Sequence, residues 1–407
     1  MKMITGGVTA AEGFAAASCE ANIKYKGRTD MAMVYSKTPC VCAGTFTTNV
    51  VKAACVKWDQ QVVASKEPMQ AIVINSGIAN AATGAEGFAA CEATAKAVEK
   101  ALGVPHQQVG VASTGVIGMQ LPVEKLAHGV AVMSTQLEES IQAGTDASKA
   151  IMTTDTVNKE LAVTVELGGK TVTLGGMSKG SGMIHPNMCT MLAFLTTDAA
   201  ISKELLQEAT SQVVSDTFNM ITVDGDTSTN DTLLIMANGL AKNPEITEKN
   251  EDYNTFVEAL RFVCETLAKK MAADGEGASK LFEAKVKNAK SVADAKVLAR
   301  AIVGSNLSKA AIFGCDANFG RFLCAMGYSG VSFCEEDVEL FFESSVGKLQ
   351  VFDHGTPVAF DEEMALAIMK ADAVTVLVDM HEGDGNATAW GCDLTYDYVK
   401  INADYRS

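Results

Sequence analysis

The sequence is poor in the side chains on which much enzyme chemistry depends. Only five histidines occur in 407 residues, at 106, 128, 185, 354 and 381, and none stands at metal-ligand spacing from another. The nucleotide-binding patterns G-x-G-x-x-G and G-x-x-x-x-G-K-[ST] are missing, as is H-E-x-x-H. No run of apolar residues approaches the ~18 needed to span a bilayer. The 11 cysteines are odd in number, scattered and without a C-x-x-C pair, which argues for reduced thiols rather than disulfides or zinc. Aromatics make up only 6% of the chain, so Ala, Val, Leu, Ile and Met must build the core; at 48% apolar residues that core is ample. The net charge of −16 repels nucleic acid and anionic membrane alike. At the amino end, Glu12 and neighbouring glycines interrupt any export signal, so a cytoplasmic protein is expected.

What is present is an alternation of short apolar runs with amphipathic stretches, with only seven prolines and no Pro-rich linker. The pattern predicts strands at Ala71–Asn75, Leu161–Leu167, Met191–Thr196, Thr232–Ala237, Lys309–Phe313 and Val374–Val378. It predicts helices at Ala93–Leu102, Val123–Leu137, Lys203–Phe218, Asn254–Ala272, Val292–Val303 and Glu362–Lys370, with Ser291 and Asp294 as a capping pair. Residues Ala387–Ile401 alternate in part and read as a terminal strand. The fold class is therefore α/β, with β-sheets covered by helices. Glycine-rich segments, among them STGVIG and GGMSKGSGM, read as loops carried by that framework. The G-x-S-x-G match at Gly176–Gly180 reads as chance, and the acidic HEGDGN stretch as a solvated turn rather than a calcium loop.

One segment is unusual. In Gly175–Ala199 a small-residue stretch passes through His185-Pro186-Asn187-Met188-Cys189-Thr190 into the apolar run MLAFL. A threonine at the mouth of a buried strand is well placed to be held rigidly, although β propensity alone would also put it there.

Over residues 6–407 the chain resembles the ornithine acetyltransferases of arginine biosynthesis, also called glutamate N-acetyltransferases. The resemblance rests on KGSGMIHPNMCTMLAFLTTDA, on Ser113–Gly118, on Ala150–Thr156, on Val223–Thr232, on Asp274–Ala278 and on the ending Ile401–Ser407. It implies self-cleavage between Cys189 and Thr190, giving fragments 1–189 and 190–407 that assemble as α2β2. It implies that Thr190 becomes an amino-terminal nucleophile, with the Thr114 hydroxyl and Gly115 N–H as oxyanion donors. Thr153, Lys179, Thr190, Glu276, Asn402 and Ser407 match its substrate-binding residues, with Thr154 beside Thr153 leaving a one-residue ambiguity. The implied partners are N-acetylornithine and glutamate. Some members of that family also take acetyl-CoA, so a second donor stays open. No motif implies a metal or organic cofactor.

The chemistry fits a chain so short of histidine. A threonine hydroxyl needs a base, and a freed α-amine, with an unperturbed pKa of ~7.7–8.0, supplies one near neutral pH. Lys179 could pair with a substrate carboxylate and Glu276 with the ornithine ammonium; as isolated residues both would read as solvated loop charges. The sequence departs from the family at Cys189 and His185, where Ala is common, at Ile78, and at Cys315–Phe319. A self-cleaving aminopeptidase or amidase, a thiol enzyme using Cys189 with His185, and a binding protein without chemistry are the competing readings.

Overall fold

The computed structural model describes residues 1–185 and 191–404, in two compact units. The first unit holds Met1–Gly180, a stretch ending at Asn219, and Thr227–Leu267; the second holds Ser181–His185, Met220–Asp226 and the chain from Ala268 onward. No helix of the described residues is long and apolar enough to cross a membrane.

The first unit runs β1 (Lys2–Ile4), β2 (Phe14–Cys19), β3 (Met31–Phe46), α1 (Ala54–Ala64), β4 (Met69–Ile78), α2 (Gly84–Leu102), β5 (Val109–Val116), α3 (Val123–Ser134), α4 (Ile141–Ala150), β6 (Lys159–Leu167), β7 (Lys170–Lys179), β8 (Leu192–Thr197), α5 (Lys203–Asp216), β9 (Thr232–Ala237) and the start of α6 (Glu251–Ala273). Its strands are ordered β1-β6-β7-β8-β9-β3-β4-β5, with β2 also on β3. The middle of this sheet is explained by composition. The runs LAFLTT and TLLIMA are buried at every position, as expected of strands covered on both faces. They pair in parallel, Leu192 opposite Thr232, joined by the crossover through α5. Strand β3 serves two sets of partners. Met31–Tyr35 pairs with β2 and β4, Val41–Phe46 pairs with β9, and the β3–β4 ladder shifts register between Tyr35 and Cys40. Pro39, which has no N–H to give to a ladder, lies in that interval.

The second unit contains β10 (Leu281–Ala289), α7 (Val292–Gly304), α8 (Asn306–Gly314), α9 (Phe319–Gly327), β11 (Glu339–Ser344), β12 (Gly347–Asp353), β13 (Thr356–Pro357), α10 (Glu362–Met369), β14 (Ala373–Asp379), β15 (Gly385–Cys392) and α11 (Tyr396–Ala403). The sheet order is β13-β12-β11-β14-β10-β15. Strand β10 alternates buried and more exposed residues, and Phe282 on its inner face meets Phe322 of α9 edge-on, which in turn meets Phe342 of β11. Ser291 caps α7 by accepting the Asp294 N–H, the arrangement expected from sequence.

Three expectations are corrected. Lys309–Phe313 is not a strand but the body of α8, opened by a Ser305 cap and closed by Cys315 in the left-handed conformation. A five-residue apolar run carries too little period to separate the two states. The terminal strand ends at Cys392, after which Thr395 caps a helix, accepting the Tyr398 N–H and donating to the Gly277 carbonyl. The STG and GGMSK segments are not loops: they are the ends of β5 and β7.

Candidate active site

Within the first unit, three of the residues singled out from sequence meet. Thr114 and Gly115 sit near the end of β5, which runs parallel to β4 with Gly115 opposite Gly77. A Cβ on Gly115 would lie 2.3 Å from the Gly77 carbonyl carbon, and its φ is +130°, so only glycine fits there. Lys179, the last residue of β7, is 8% exposed. Its ammonium donates to the Thr114 hydroxyl across 3.2 Å and to the Thr153 hydroxyl across 2.7 Å. The Lys179 ammonium thus draws together the Thr114 and Thr153 hydroxyls, with Gly115 next in chain to Thr114.

Asp155, which has no role in the sequence analysis above, holds this arrangement. One of its carboxylate oxygens accepts the Gly180 N–H at 2.7 Å and the Lys159 ammonium at 2.8 Å. The other accepts the Thr153 N–H at 3.1 Å and lies 3.9 Å from the Lys179 ammonium. The Asp155 and Lys159 side chains are both fully buried. Burial alone would raise the Asp155 pKa, but the charges of Lys179 and Lys159 outweigh it and hold the carboxyl at about 2. Thr153 and Asp155 also border an open groove of about 600 Å³, with Ser18, Arg28, Thr29 and Lys149 among its lining.

The β5 end is fixed by amides that the sequence did not single out. Ser113 donates to Asn75 at 2.7 Å, and Asn75 donates to the Ile78 carbonyl at 3.0 Å. The Asn230 amide donates to the Ser113 carbonyl at 2.8 Å and the Ala79 carbonyl at 2.5 Å. A donor placed by such a buried network needs no reorganisation when charge develops nearby.

Within the second unit, Glu276 and Asn402 meet. Glu276 is 6% exposed and accepts the Asn402 side-chain N–H at 2.7 Å, while its own N–H donates to the Ser181 carbonyl at 2.8 Å. Its carboxylate lies over Gly182, where a Cβ would come within 2.3 Å of it. Neither Lys179 nor Glu276 is a solvated loop charge. Nearby in sequence, the Met183 and Ile184 N–H groups donate to Asp224, which also accepts the Tyr398 hydroxyl at 3.3 Å.

His185 is bonded on both ring nitrogens, to Arg300 at 2.9 Å and to the Thr222 hydroxyl at 3.0 Å. A guanidinium can only donate, so Nε2 accepts and Nδ1 carries the proton. Burial and the Arg300 charge lower the pKa of the ring, which stays neutral at neutral pH. Cys189, Thr190 and Ser407 lie outside the described residues.

The ArgJ family model matches residues 15–407. The "Arginine biosynthesis bifunctional protein ArgJ" of Symbiobacterium thermophilum is 50% identical over 100% of both chains. The Bacillus subtilis protein of the same name is 45% identical over 99% of this chain and 97% of its own. A crystal structure of the arginine biosynthesis bifunctional protein ArgJ from Bacillus halodurans is 48% identical, with a TM-score of 0.50, and is matched over 99% of its length by 53% of this chain.

Proposed function

This chain belongs to the ArgJ family and is an acetyltransferase of arginine biosynthesis; we propose that it moves the acetyl group of N-acetylornithine to glutamate through an acetyl-threonine ester. One observation carries the reading: the likeness to the Symbiobacterium relative, at 50% identity, runs the whole length of both chains.

The chain cuts itself before Thr190, and the freed α-amine takes the proton of the Thr190 hydroxyl as that oxygen attacks the acetyl carbonyl. The oxyanion is received by the Thr114 hydroxyl and the Gly115 N–H. The Lys179 contact supports this assignment. An ammonium donating to the Thr114 oxygen leaves that hydroxyl's own proton for another acceptor, and its charge stands beside the developing anion. Ornithine departs, and the glutamate amine takes up the acetyl group in a second, equivalent half-reaction. Lys179 with Thr153 receives a substrate carboxylate, and Glu276 with Asn402 receives the ornithine ammonium; Ser407 completes the substrate contacts.

The fragments 1–189 and 190–407 stay together as α2β2 in the cytoplasm. The crystal chain from Bacillus halodurans supports the cut. It is matched almost entirely by about half of this chain, whereas the curated relatives are matched end to end. Acetyl-CoA serves as a second donor, which accords with the word "bifunctional" in the relatives' names.

The test is acetyl transfer to glutamate, measured separately with N-acetylornithine and with acetyl-CoA. Transfer from N-acetylornithine that needs glutamate supports the reading. Release of acetate with no need for glutamate would instead mark a hydrolase.

A further inference from the structure

Two of the five histidines, His354 and His381, are far apart in the chain, yet their rings stack with centroids 5.5 Å apart and planes inclined by 20°. Strand pairing in the second unit brings them together. His354 follows the last residue of β12, and His381 lies two residues beyond the end of β14. Strand β11 runs antiparallel to both, and its first residue, Glu339, stands opposite Asp379, the last residue of β14. Three carboxylates, those of Glu339, Asp353 and Asp379, therefore share one end of this sheet with two imidazoles.

The donor atoms form two triads that have Glu339 in common. In Glu339–Asp353–His354 and in Glu339–Asp379–His381, one nitrogen and two carboxylate oxygens lie within 4.8 Å of one another. His381 Nε2 is 2.8 Å from Glu339, and His354 Nδ1 is 2.7 Å from Asp353. Among the described residues, these carboxylates form ion pairs with histidine and with no lysine or arginine. Histidine cannot neutralise them. Three carboxylates against two imidazoles leave a charge of −3 with both rings neutral and −1 with both protonated. Full protonation would also set two cations face to face, and like charges opposed across paired strands are destabilising.

Two of the carboxylates are steadied from outside the cluster. The Asn288 amide donates to both oxygens of Asp379, at 2.8 and 3.0 Å, and the Gln350 amide donates to Glu339 at 3.1 Å. Outer partners of this kind orient metal ligands. A mixed set of imidazole and carboxylate donors suits zinc, cobalt, nickel or manganese; calcium and magnesium prefer oxygen alone.

We propose that Glu339, Asp353, His354, Asp379 and His381 bind one divalent transition-metal ion of the zinc and cobalt class. Ligands about 2.1 Å from an ion stand at most about 4 Å from each other, so the donors need draw in by less than about 1 Å. The rings ligate as neutral imidazoles, and any proton on them leaves as the ion enters. One ion changes the cluster's charge from −3 to −1, whereas a second would make it +1, so a single ion is expected. Both histidines are exposed, and water completes the coordination. The bound ion ties the ends of β11, β12 and β14 together and stabilises the folded second unit.

The experiment is a titration of the untagged full-length protein, first stripped with a chelator, with Co2+. A visible band of cobalt bound to nitrogen and oxygen should grow and saturate at one equivalent, without the near-ultraviolet charge-transfer band of a thiolate ligand. Zn2+ should displace the Co2+, and Mg2+ and Ca2+ should not. His354→Asn and His381→Asn should each weaken Co2+ binding at least about 10-fold. Both residues have positive φ, +43° and +52°, which asparagine tolerates, so the turns are kept. Gln350→Ala should weaken binding through Glu339, and Cys334→Ser, which removes an exposed thiol, should leave it unchanged. Saturating Zn2+ should raise the Tm of wild type and not that of the two histidine variants. A thiolate band, unchanged affinity in both histidine variants, or no saturation by about 1 mM Co2+ overturns the inference. Should a variant lose its fold, the wild-type spectrum decides: one equivalent bound without a thiolate band supports the site, and any other spectrum overturns it.

Discussion

The Lys179 ammonium donates a hydrogen bond to the Thr114 hydroxyl, 3.2 Å away and on a different strand. One oxygen thereby accepts from a cation while its own proton remains to be given. A neutral hydroxyl beside a fixed positive charge is a stronger donor than a hydroxyl alone.

Thr114→Val should expose that function. The variant keeps the shape but loses the donor, and kcat for acetyl transfer should fall about 10²- to 10³-fold, as in comparable oxyanion sites. KM for N-acetylornithine should change little, because the interaction belongs to the transition state. Steady-state kinetics check it; a change confined to KM would count against the assignment.

Gly115→Ala should be far more harmful than Gly118→Ala. Both glycines have positive φ, +130° and +83°. Only at Gly115 would the added carbon strike backbone, whereas around Gly118 nothing lies within 4 Å. Gly118→Ala should cost about 1 kcal/mol, and Gly115→Ala should fail to give soluble, cooperatively melting protein. Soluble yield and thermal melts of the two variants test the contrast.

Asp155 should make stability sensitive to acid. Its carboxyl titrates lower in the folded chain, at about 2, than in the unfolded one. The stabilisation is therefore complete above about pH 4 and is lost as pH falls toward 2, amounting to roughly 2 kcal/mol. Asp155→Asn should lose this slope. It should also be destabilised at neutral pH by about 3–5 kcal/mol, since Lys159 would be left buried without its counter-charge. Urea titrations across pH 2–7 measure both effects.

Glu276→Gln should weaken binding of N-acetylornithine by about 2 kcal/mol, a rise in KM of roughly 30-fold. Self-cleavage should be unaffected, which mass spectrometry of the purified variant would verify.

Cys189→Ser should leave both cutting and transfer in place. Loss of transfer with cutting intact would favour the thiol reading over the threonine one.

The parts of the fold that were legible are those with long, unambiguous patterns. The pattern at Thr232–Ala237 matches its strand to the residue, and that at Val292–Val303 falls one residue short of its helix, because a continuous apolar run and a capped amphipathic stretch each admit one solution. The glycine-rich end of β7 carries the composition of a turn and yet is strand. Gly175 and Gly176 instead admit close packing, since a Cβ on either would fall 2.1 Å from the Gly7 carbonyl oxygen or 2.2 Å from Leu195. Of the site, the hydroxyls and the lysine were legible through their motifs. The Asp155 hub was not, because it depends on Lys159 and Lys179 arriving from two separate strands. A single carboxylate among threonines carries no local sign of such partners.

The strand order has a consequence for how the protein can be made. A break before Thr190 would assign β1 to β7 to one piece and β8 with β9 to the other. Yet in the sheet β8 and β9 lie between β7 and β3. The amino-terminal piece alone would have a two-strand gap through its middle, and the other piece would bring a pair of greasy strands with nothing on either edge. Two halves expressed from separate plasmids should therefore aggregate, whereas a chain that folds first and is severed afterwards should resist separation by anything short of a denaturant.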